Sequence, residues 1–301
     1  MSETSGSVKD IRHLSSKERW QLVKDTFSGF ELDMSLFHGA ALSFYVIFSL
    51  VPMFYLAITI FGTFIDPDTI INIITSVLRE QVGIEDISGI MDFLKTVNFG
   101  KGNFILRNIG IIVLIITCSA IFISLRYSMN YFMGINVVYD SKKKKFISNL
   151  IARGISIGLL SLFGTVLIIV YFFQLVTVSF AHEIFGDNGF ISSVSIEALQ
   201  HILGIATNWV IFAFVFRYLH DGIISWRLSW VGSFVTAVML HIGQILIQFY
   251  LTNFFFGKAG GIAGALLVII AFVYYSSQMI FLGARFTAIY GKATNRHLRS
   301  K

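Results

Sequence analysis

The sequence predicts an all-α, polytopic membrane protein with six transmembrane helices and with both termini in the cytoplasm. Three observations lead to this prediction: an apolar composition, six long apolar stretches, and basic residues gathered in alternate gaps between them. Hydrophobic residues make up 55% of the 301 residues and charged residues only 13%, whereas an ordinary soluble domain carries about 25% charged residues. No Pro-, Ser- or Gly-rich linker divides the chain, so residues 1–301 are predicted to form a single membrane domain.

The apolar stretches are the primary evidence for the spans. Most of them reach the roughly 20 residues that an α-helix needs to cross about 30 Å of hydrocarbon. Within the first stretch, Pro52 predicts a kink, because proline removes a backbone hydrogen bond. The fourth stretch is short and is interrupted by Asn208. The six stretches run over residues 38–65, 109–125, 155–180, 202–219, 228–251 and 260–284.

The distribution of basic residues gives the orientation. If both termini are cytoplasmic, 18 of the 23 lysines and arginines lie on the cytoplasmic side. The others are Arg79, Lys95, Lys101, Arg107 and Lys258. Because Lys and Arg are retained in the cytoplasm during insertion, this split favours an even number of spans. Anionic lipid headgroups on the cytoplasmic side then explain the net charge of +6, and no nucleic acid is needed as a partner.

The cytoplasmic ends of the chain are polar. In the N-terminal segment, residues 1–30, we expect disorder over residues 1–14 and then a short helix capped by Ser15 or Ser16. This helix has an apolar side and a basic side, so it either lies on the inner membrane surface or packs under the bundle. Residues 286–301 form a cytoplasmic tail.

The first outer segment, residues 66–104, is too polar to span the membrane and too periodic to be a simple linker. Asp66 and Pro67 predict the start of an amphipathic helix on the outer face. A second amphipathic helix is expected over residues 84–97. The outer loop between the third and fourth spans is predicted over residues 181–200.

Small residues at helical spacing predict close contacts between spans. Gly154 and Gly158 open the third span with a GxxxG spacing, and Ser229, Ser233 and Ala237 follow one face of the fifth. Glycines also crowd the start of the sixth span, which suggests a bend or a tight crossing there.

Motifs of soluble enzymes are missing from the sequence. There is no GxxxxGK[ST] phosphate loop, GxSxG elbow or HExxH zinc helix. The single cysteine, Cys118, lies inside the second span and has no Cys or His neighbour at a metal-binding spacing. We therefore expect no enzymatic activity, no metal and no cofactor.

Polar side chains inside the spans are the best functional clue, because they are costly in hydrocarbon. His241, Gln244, Gln248 and Thr252 fall at i, i+3, i+7 and i+11 and share one face of the fifth span. They are predicted to line a substrate path, and hydrogen bonding between helices is the alternative. The sixth and first spans add candidates for the same path, namely Tyr274, Ser277, Gln278, Ser43 and Tyr45.

Arginines at the inner ends of spans and in the loop between the fourth and fifth form a second candidate site. They either anchor in headgroups or form a basic inner rim for an anionic headgroup or substrate. Asp221 lies close in sequence to two of them and could pair with one of these charges. The rim is predicted from Arg126, Arg217, Arg227 and Arg285.

Several stretches resemble the YihY/BrkB membrane proteins. Residues 39–45 and 48–52 look like the first span of that family, and the likeness is closest near the C-terminus. The order of the motifs is more specific than any one of them, and the resemblance covers residues from about 25 to 292. The sequences concerned are GAALSFY (39–45), FSLVP (48–52), SMN (128–130), FGKAGG (256–261), YYSSQ (274–278) and LGARFT (282–287).

The chain also departs from the family pattern. Arg285 stands where the family usually has Glu, which reverses a charge at the inner end of the last span. The family's Trp before the tyrosine pair is replaced by Ala271 or Phe272, and the YxxLP that usually follows the fourth span is replaced by residues 218–222, YLHDG. A role that depends on that Glu or Pro does not carry over to this chain.

The resemblance implies a six-span protein of the bacterial inner membrane, from a family linked to envelope phenotypes and to movement of lipid-like molecules. We therefore expect a multi-pass protein of the bacterial plasma membrane that transports a lipid or amphiphile in a flippase-like way. Its path would be a polar cavity between spans one, five and six, and self-association is left open. One alternative is a structural or regulatory envelope protein without transport. The other alternative is a membrane-bound ribonuclease, a label that the family once carried. The sequence offers no cluster of acids or histidines that could bind a metal or attack a phosphodiester.

Overall fold

The structure is a computed structural model that describes residues 15–62, 64–82, 104–135, 141–185, 190–250, 261–294 and 299–300. The predicted all-α class is confirmed: the described chain is helical apart from one pair of two-residue strands and a π-helical turn, Leu78–Val82. The helices are α1 (Ser16–Ser28), α2 (Leu32–Phe61), α3 (Pro67–Val77), α4 (Phe104–Met133), α5 (Lys142–Phe185), α6 (Phe190–Tyr218), α7 (Trp226–Tyr250) and α8 (Gly261–Ala293), and the strands are β1 (Gly222–Ile223) and β2 (Arg299–Ser300).

Five helices of the described chain are long and apolar enough to cross a membrane. The second predicted span falls within α4, so the total of six and the side on which the termini lie stay predictions. The membrane-crossing segments are Leu32–Leu50 in α2, Phe146–Phe173 in α5, Ala198–Tyr218 in α6, Trp226–Ile247 in α7 and Gly264–Ala293 in α8.

The predicted fourth span agrees closely with the membrane-crossing segment Ala198–Tyr218, but the outer segment predicted before it as a loop is largely helical. Helix α5 continues to Phe185 and α6 begins at Phe190, so helix replaces most of the predicted loop over residues 181–200. The polar residues of this segment misled the prediction, because a helix that extends beyond the hydrocarbon carries polar side chains without a desolvation cost.

The long helices form a closed ring. Helix α2 contacts α4 and α8, and the pairs α4–α5, α5–α6, α6–α7 and α7–α8 complete the circuit. At one end of the ring α3 packs against α2 and α5, and at the other α1 packs against α8. Each helix therefore presents one face to the interior of the ring, where polar groups escape lipid.

The helix starts predicted from the sequence are confirmed. The Ser15 hydroxyl accepts the Lys17 backbone N–H at 3.2 Å, and the Glu18 carboxylate accepts the Ser15 N–H at 2.7 Å, which is a capping box. Asp66 caps α3 with its carboxylate, which accepts the backbone N–H groups of Asp68 and Thr69, and Pro67 occupies the first helical position. The predictions for residues 1–14 and 84–97, and for most of the glycines before α8, fall outside the described residues.

Helix α3 packs its apolar face onto the bundle. Ile70, Ile74 and Leu78 are buried in one cluster with Leu50 and Phe54 of α2. The predicted amphipathic helix on the outer face is thus fixed to the first span by side-chain packing.

Of the two predicted small-residue contacts, only one forms among the described residues. Ser229, Ser233 and Ala237 are fully buried, and the Ser229 hydroxyl donates to the carbonyl of Ala213 in α6. Gly154 and Gly158 are exposed, and a Cβ added at either would meet no described atom within 4 Å. A GxxxG spacing permits a close contact, but the contact forms only where a partner helix lies on that face.

The four predicted cytoplasmic segments meet at one end of the bundle. Tyr131, near the end of α4, donates to the Glu31 carboxylate at the start of α2. Strand β1, in the loop between α6 and α7, pairs antiparallel with β2 in the C-terminal tail. Such a gathering is what a chain with both termini on one side requires, and the identity of that side stays a prediction.

Candidate functional site

A cavity of about 530 Å³ lies inside the ring of helices. The predicted site was a cavity between the first, fifth and sixth spans, which are α2, α7 and α8. The observed cavity is lined by these three helices and also by α3, α4, α5 and α6. The prediction was too narrow because a closed ring gives every long helix a face on the interior.

The polar groups of the cavity are concentrated on α6 and α7, and apolar side chains form most of the remaining wall. No lysine, arginine, aspartate or glutamate is among the described residues that line it. The polar lining residues are Ser76, Tyr171, Gln200, His201, Thr207, Asn208, His241, Gln244 and Ser276.

Two histidines meet in the cavity wall. His201 Nδ1 of α6 lies 3.1 Å from His241 Nε2 of α7, and the rings are perpendicular, with an interplanar angle of 78°. The His241 ring packs beside Gly204, where an added Cβ would lie in ordinary van der Waals contact, 3.4 Å from His241 Cε1. One imidazole donates and the other accepts, so the pair is joined through a single hydrogen.

The structure describes only part of the polar face that was predicted on the fifth span. His241 and Gln244 line the cavity. The side chain of Gln248 and all of Thr252 lie outside the described residues. A role of the whole face in a substrate path stays a prediction.

The polar face of α8 lies in a helix contact with α2. The Gln278 amide nitrogen donates to the carbonyls of Tyr274 at 3.2 Å and Ser35 at 3.3 Å, and the Ser35 hydroxyl donates to the Gln278 amide oxygen. Gly39 makes room, because a Cβ there would come within 3 Å of the Gln278 and Ser277 side chains. For Tyr274, Ser277 and Gln278 the alternative of interhelical packing is the one observed, and Ser276 reaches the cavity instead.

The two candidates on α2 also lie away from the cavity. Ser43 is buried and its hydroxyl donates to the Gly39 carbonyl at 2.9 Å, while Tyr45 is 39% exposed. Their neighbours Leu42 and Val46 are the α2 residues that line the cavity.

A dense core closes the cavity on the side of the predicted cytoplasmic segments. Leu42, Leu125, Leu240 and Ile280 both line the cavity and belong to a cluster of buried side chains. This cluster also contains the fully buried Phe216, Phe281 and Met129. The cavity therefore has an apolar floor between it and that end of the bundle.

The prediction that Asp221 pairs with one of the predicted rim arginines is confirmed for Arg126, which is therefore a buried, paired residue and not an exposed member of an inner basic rim. Arg126 and Asp221 are only 6% and 9% exposed, and they form an ion pair in which Arg126 Nε donates to Asp221 Oδ2 at 2.9 Å. Asn130 Nδ2 donates to the same carboxylate at 2.6 Å, and Asn130 Oδ1 accepts the Asp221 N–H at 2.9 Å. Ser148 of α5 accepts from Arg126 Nη2 at 2.8 Å, so the cluster joins α4, α5 and the loop after α6.

The other three arginines differ in exposure. Arg217 donates to the Ile224 carbonyl and lies over the Trp226 ring, 5.7 Å from its centroid. Arg285 is half-buried beneath the backbone of Gly29, and Arg227 is exposed. A continuous rim of four exposed cations is therefore absent, and binding of headgroups by Arg227 stays a prediction.

Sequence analysis missed the contribution of α6 to the cavity. Gln200, Gly204 and Asn208 recur at four-residue spacing, beside His201 and Thr207, and this repeat places them on one helix face. This repeat is visible in the sequence, but the predicted span began at residue 202 and so left Gln200 and His201 outside it.

The comparisons with known proteins concern the family more than the site. No solved structure matches this chain. A UPF0761 membrane protein of Psychromonas ingrahamii is 28% identical over 113 residues, which are 36% of this chain and 37% of that protein, so the match spans little more than a third of either. The virulence factor BrkB family matches residues 26–301, which includes every described helix from α2 onward and only the last three residues of α1. The resemblance inferred from the first span and the C-terminal motifs is confirmed, and the chain is a multi-pass membrane protein that belongs to the virulence factor BrkB family.

Proposed function

We propose that this BrkB-family protein moves a lipid or another amphiphile across the bacterial plasma membrane in a flippase-like way, through the cavity inside its ring of helices. The cavity of about 530 Å³ is the observation that supports this proposal. Its polar groups lie mainly on α6 and α7 and its other walls are apolar, so it offers separate surfaces to a polar headgroup and to a hydrocarbon chain.

Transport through this site requires the cavity floor to open. In the structure the floor and the Arg126–Asp221 cluster stand between the cavity and the end that holds α1 and β2. Packed helices with two arrangements are the usual basis of alternating access. Opening at that end would separate α4 from the loop between α6 and α7, and the ion pair joins these two elements.

The cavity favours transport over the two alternatives. A structural or regulatory envelope protein needs no internal cavity, and tight packing of the polar α7 face would have favoured that role. A metal-dependent ribonuclease needs a cluster of acids or histidines, and the described residues hold no group of three or more that could bind a metal ion. We propose that the protein performs no covalent chemistry.

The test is transport of labelled lipids by the purified protein in liposomes. Fluorescent NBD-phosphatidylethanolamine and NBD-phosphatidylglycerol are incorporated, and external dithionite then bleaches the label on any lipid that reaches the outer leaflet. We expect the wild-type protein to expose the inner-leaflet label of at least one lipid. His241→Leu with Gln244→Leu should reduce the rate to that of protein-free vesicles, because both changes remove polar groups from the cavity wall.

The matched control places two leucines at exposed positions of α7 that do not line the cavity. Ile242 and Phe249 are 54% and 61% exposed and are predicted to face lipid. Ile242→Leu with Phe249→Leu should therefore transport like the wild type. Wild-type protein that moves neither lipid, or a His241→Leu and Gln244→Leu variant that is folded and fully active, would show that the proposal is wrong.

A further inference from the structure

One face of α1 is apolar and is left uncovered by the described residues. Trp20, Val23 and Phe27 are 70%, 41% and 62% exposed. They fall at i, i+3 and i+7, so they form one stripe along the 13-residue helix, which we call the apolar stripe. A stripe of exposed apolar side chains marks an interaction surface.

The neighbouring face of α1 is fixed to the bundle. Leu22 and Thr26 are only 7% and 4% exposed, and α1 packs against α8. Leu22 belongs to the same buried cluster as Phe281 and Tyr290 of α8. The apolar stripe is therefore held in a fixed orientation, beside the edge at which α1 meets the bundle, and it does not turn inward.

The charged side chains of α1 are sorted around the apolar stripe. Lys17 and Lys24 are exposed, and they lie three residues before and four residues after Trp20, along one edge of the stripe. Glu18 and Asp25 lie two residues before and five residues after Trp20, on the opposite side of the helix. An apolar stripe edged by cations, with the acids turned away, is typical of a helix that lies in the headgroup layer of an anionic membrane.

The chain keeps α1 next to the membrane. Helix α1 ends at Ser28, and the membrane-crossing segment of α2 begins at Leu32. Four residues span at most about 14 Å even when they are fully extended, so the last turn of α1 stays close to the bilayer. Because this tether is short, the effective concentration of the membrane surface at α1 is high, and a weak intrinsic affinity is enough to keep the stripe there.

We propose that α1 is an interfacial helix that binds anionic phospholipids, with its apolar stripe at the boundary between headgroups and acyl chains and with Lys17 and Lys24 on the phosphates. The bilayer is the apolar medium closest to the stripe, and its anionic headgroups complement the two lysines. These arguments favour lipid over a second copy of the chain or another protein. The surface is separate from the cavity, so the inference does not rest on the proposed transport.

The experiment measures which medium surrounds each side of α1 in the full-length protein. Cys118→Ala removes the single cysteine, and Val23→Cys or Gln21→Cys then carries a fluorescent NBD label. Gln21 is the matched control, because it is exposed and donates a hydrogen bond to Asp25 on the side that holds the acids. The labelled proteins are reconstituted into liposomes of equal parts phosphatidylcholine and phosphatidylglycerol.

We expect nitroxide-labelled lipid to quench the label at position 23 and aqueous iodide to quench the label at position 21. Nitroxide-labelled phosphatidylglycerol should quench at position 23 at about fivefold lower mole fraction than nitroxide-labelled phosphatidylcholine, the effect of about one lysine at an anionic surface. Lys17→Gln with Lys24→Gln should remove this preference. Trp20→Ser with Phe27→Ser should move the label at position 23 into water, because it removes most of the apolar stripe.

Two results would overturn the inference as a whole. Iodide quenching at position 23 would mean that the apolar stripe faces water, and protection from both quenchers would mean that a second copy or another protein covers it. Equal quenching by the two nitroxide lipids, or a preference that survives the double lysine variant, would overturn the role of the anionic headgroups. Both label positions are exposed, so their comparison decides the matter even if the serine variant fails to fold.

Discussion

Replacing Asp221 with alanine is expected to lower the free energy of unfolding by about 3–5 kcal/mol, because it leaves a charged arginine buried without its partner. Arg126 is 6% exposed, and Asp221 accepts two of its N–H groups. The loss should be seen as a lower midpoint in thermal or denaturant unfolding of the purified protein in detergent. It should also weaken the attachment of the loop after α6, since Asn130 would lose its second contact with that loop.

Two further variants separate the buried charge from the loss of a side chain. Arg126→Met with Asp221→Leu removes both charges and should recover stability to within about 1–2 kcal/mol of the wild type, because apolar replacements of buried ion pairs are often neutral. Lys142→Ala removes an exposed cation from the start of α5 and should change stability by less than about 0.5 kcal/mol. If Asp221→Ala proves as stable as the wild type, the ion pair is not the link between these elements.

The location of the Arg126–Asp221 pair also shows what sequence analysis could and could not predict. Hydropathy, the capping residues of α1 and α3 and the small-residue face of α7 depend on nearby residues, so the sequence predicted them correctly. Arg126 and Asp221 lie 95 residues apart, and only the tertiary fold brings them together. The sequence indicated that Asp221 could pair with one of the arginines, but it could not single out Arg126, which from its position at the end of a span was indistinguishable from an arginine that anchors in headgroups.

Two helix faces with similar polar patterns lie in different surroundings, and the sequence could not distinguish them because their surroundings also depend on the tertiary fold. His241 and Gln244 line the cavity, whereas Ser277 and Gln278 pack against Ser35 and Gly39 of α2. A polar group in a span must avoid lipid, and a helix contact and a cavity both satisfy that requirement. Which one occurs depends on how closely the neighbouring helix approaches, and a small residue such as Gly39 permits the closer approach.

The close approach of α7 and α8 leads to the second large expected effect. Gly232 of α7 lies against Thr287 of α8, and Gly283 of α8 lies against Thr236 of α7, so the contact is reciprocal. Each threonine hydroxyl donates to the carbonyl of the glycine four residues before it on its own helix, at 2.8 Å for Thr236 and 2.7 Å for Thr287. These bonds hold each threonine side chain over the opposite glycine, and both threonines are fully buried.

We expect Gly232→Leu and Gly283→Leu each to destabilise the protein by about 3 kcal/mol, the upper part of the usual range for an overpacked core. A Cβ at position 232 would overlap the Thr287 hydroxyl and lie 2.9 Å from its Cβ, so the helices must separate. Leucine favours a helix over glycine by up to about 1 kcal/mol, which is too little to offset this cost. Thermal unfolding of the purified variants measures the effect.

Gly158→Leu on α5 is the matched control, because a Cβ there meets no described atom within 4 Å and the position is exposed. The same substitution should be neutral there, or stabilising by up to about 1 kcal/mol through helix propensity. Equal losses at all three glycines would mean that leucine disturbs the spans in general and that the threonines do not fix the spacing of α7 and α8. A loss of stability limited to positions 232 and 283 would show that this reciprocal contact fixes the spacing of α7 and α8. Thr287→Gly should then partly restore the stability of the smaller variant Gly232→Ala, since it removes the three Thr287 atoms that the new Cβ would meet.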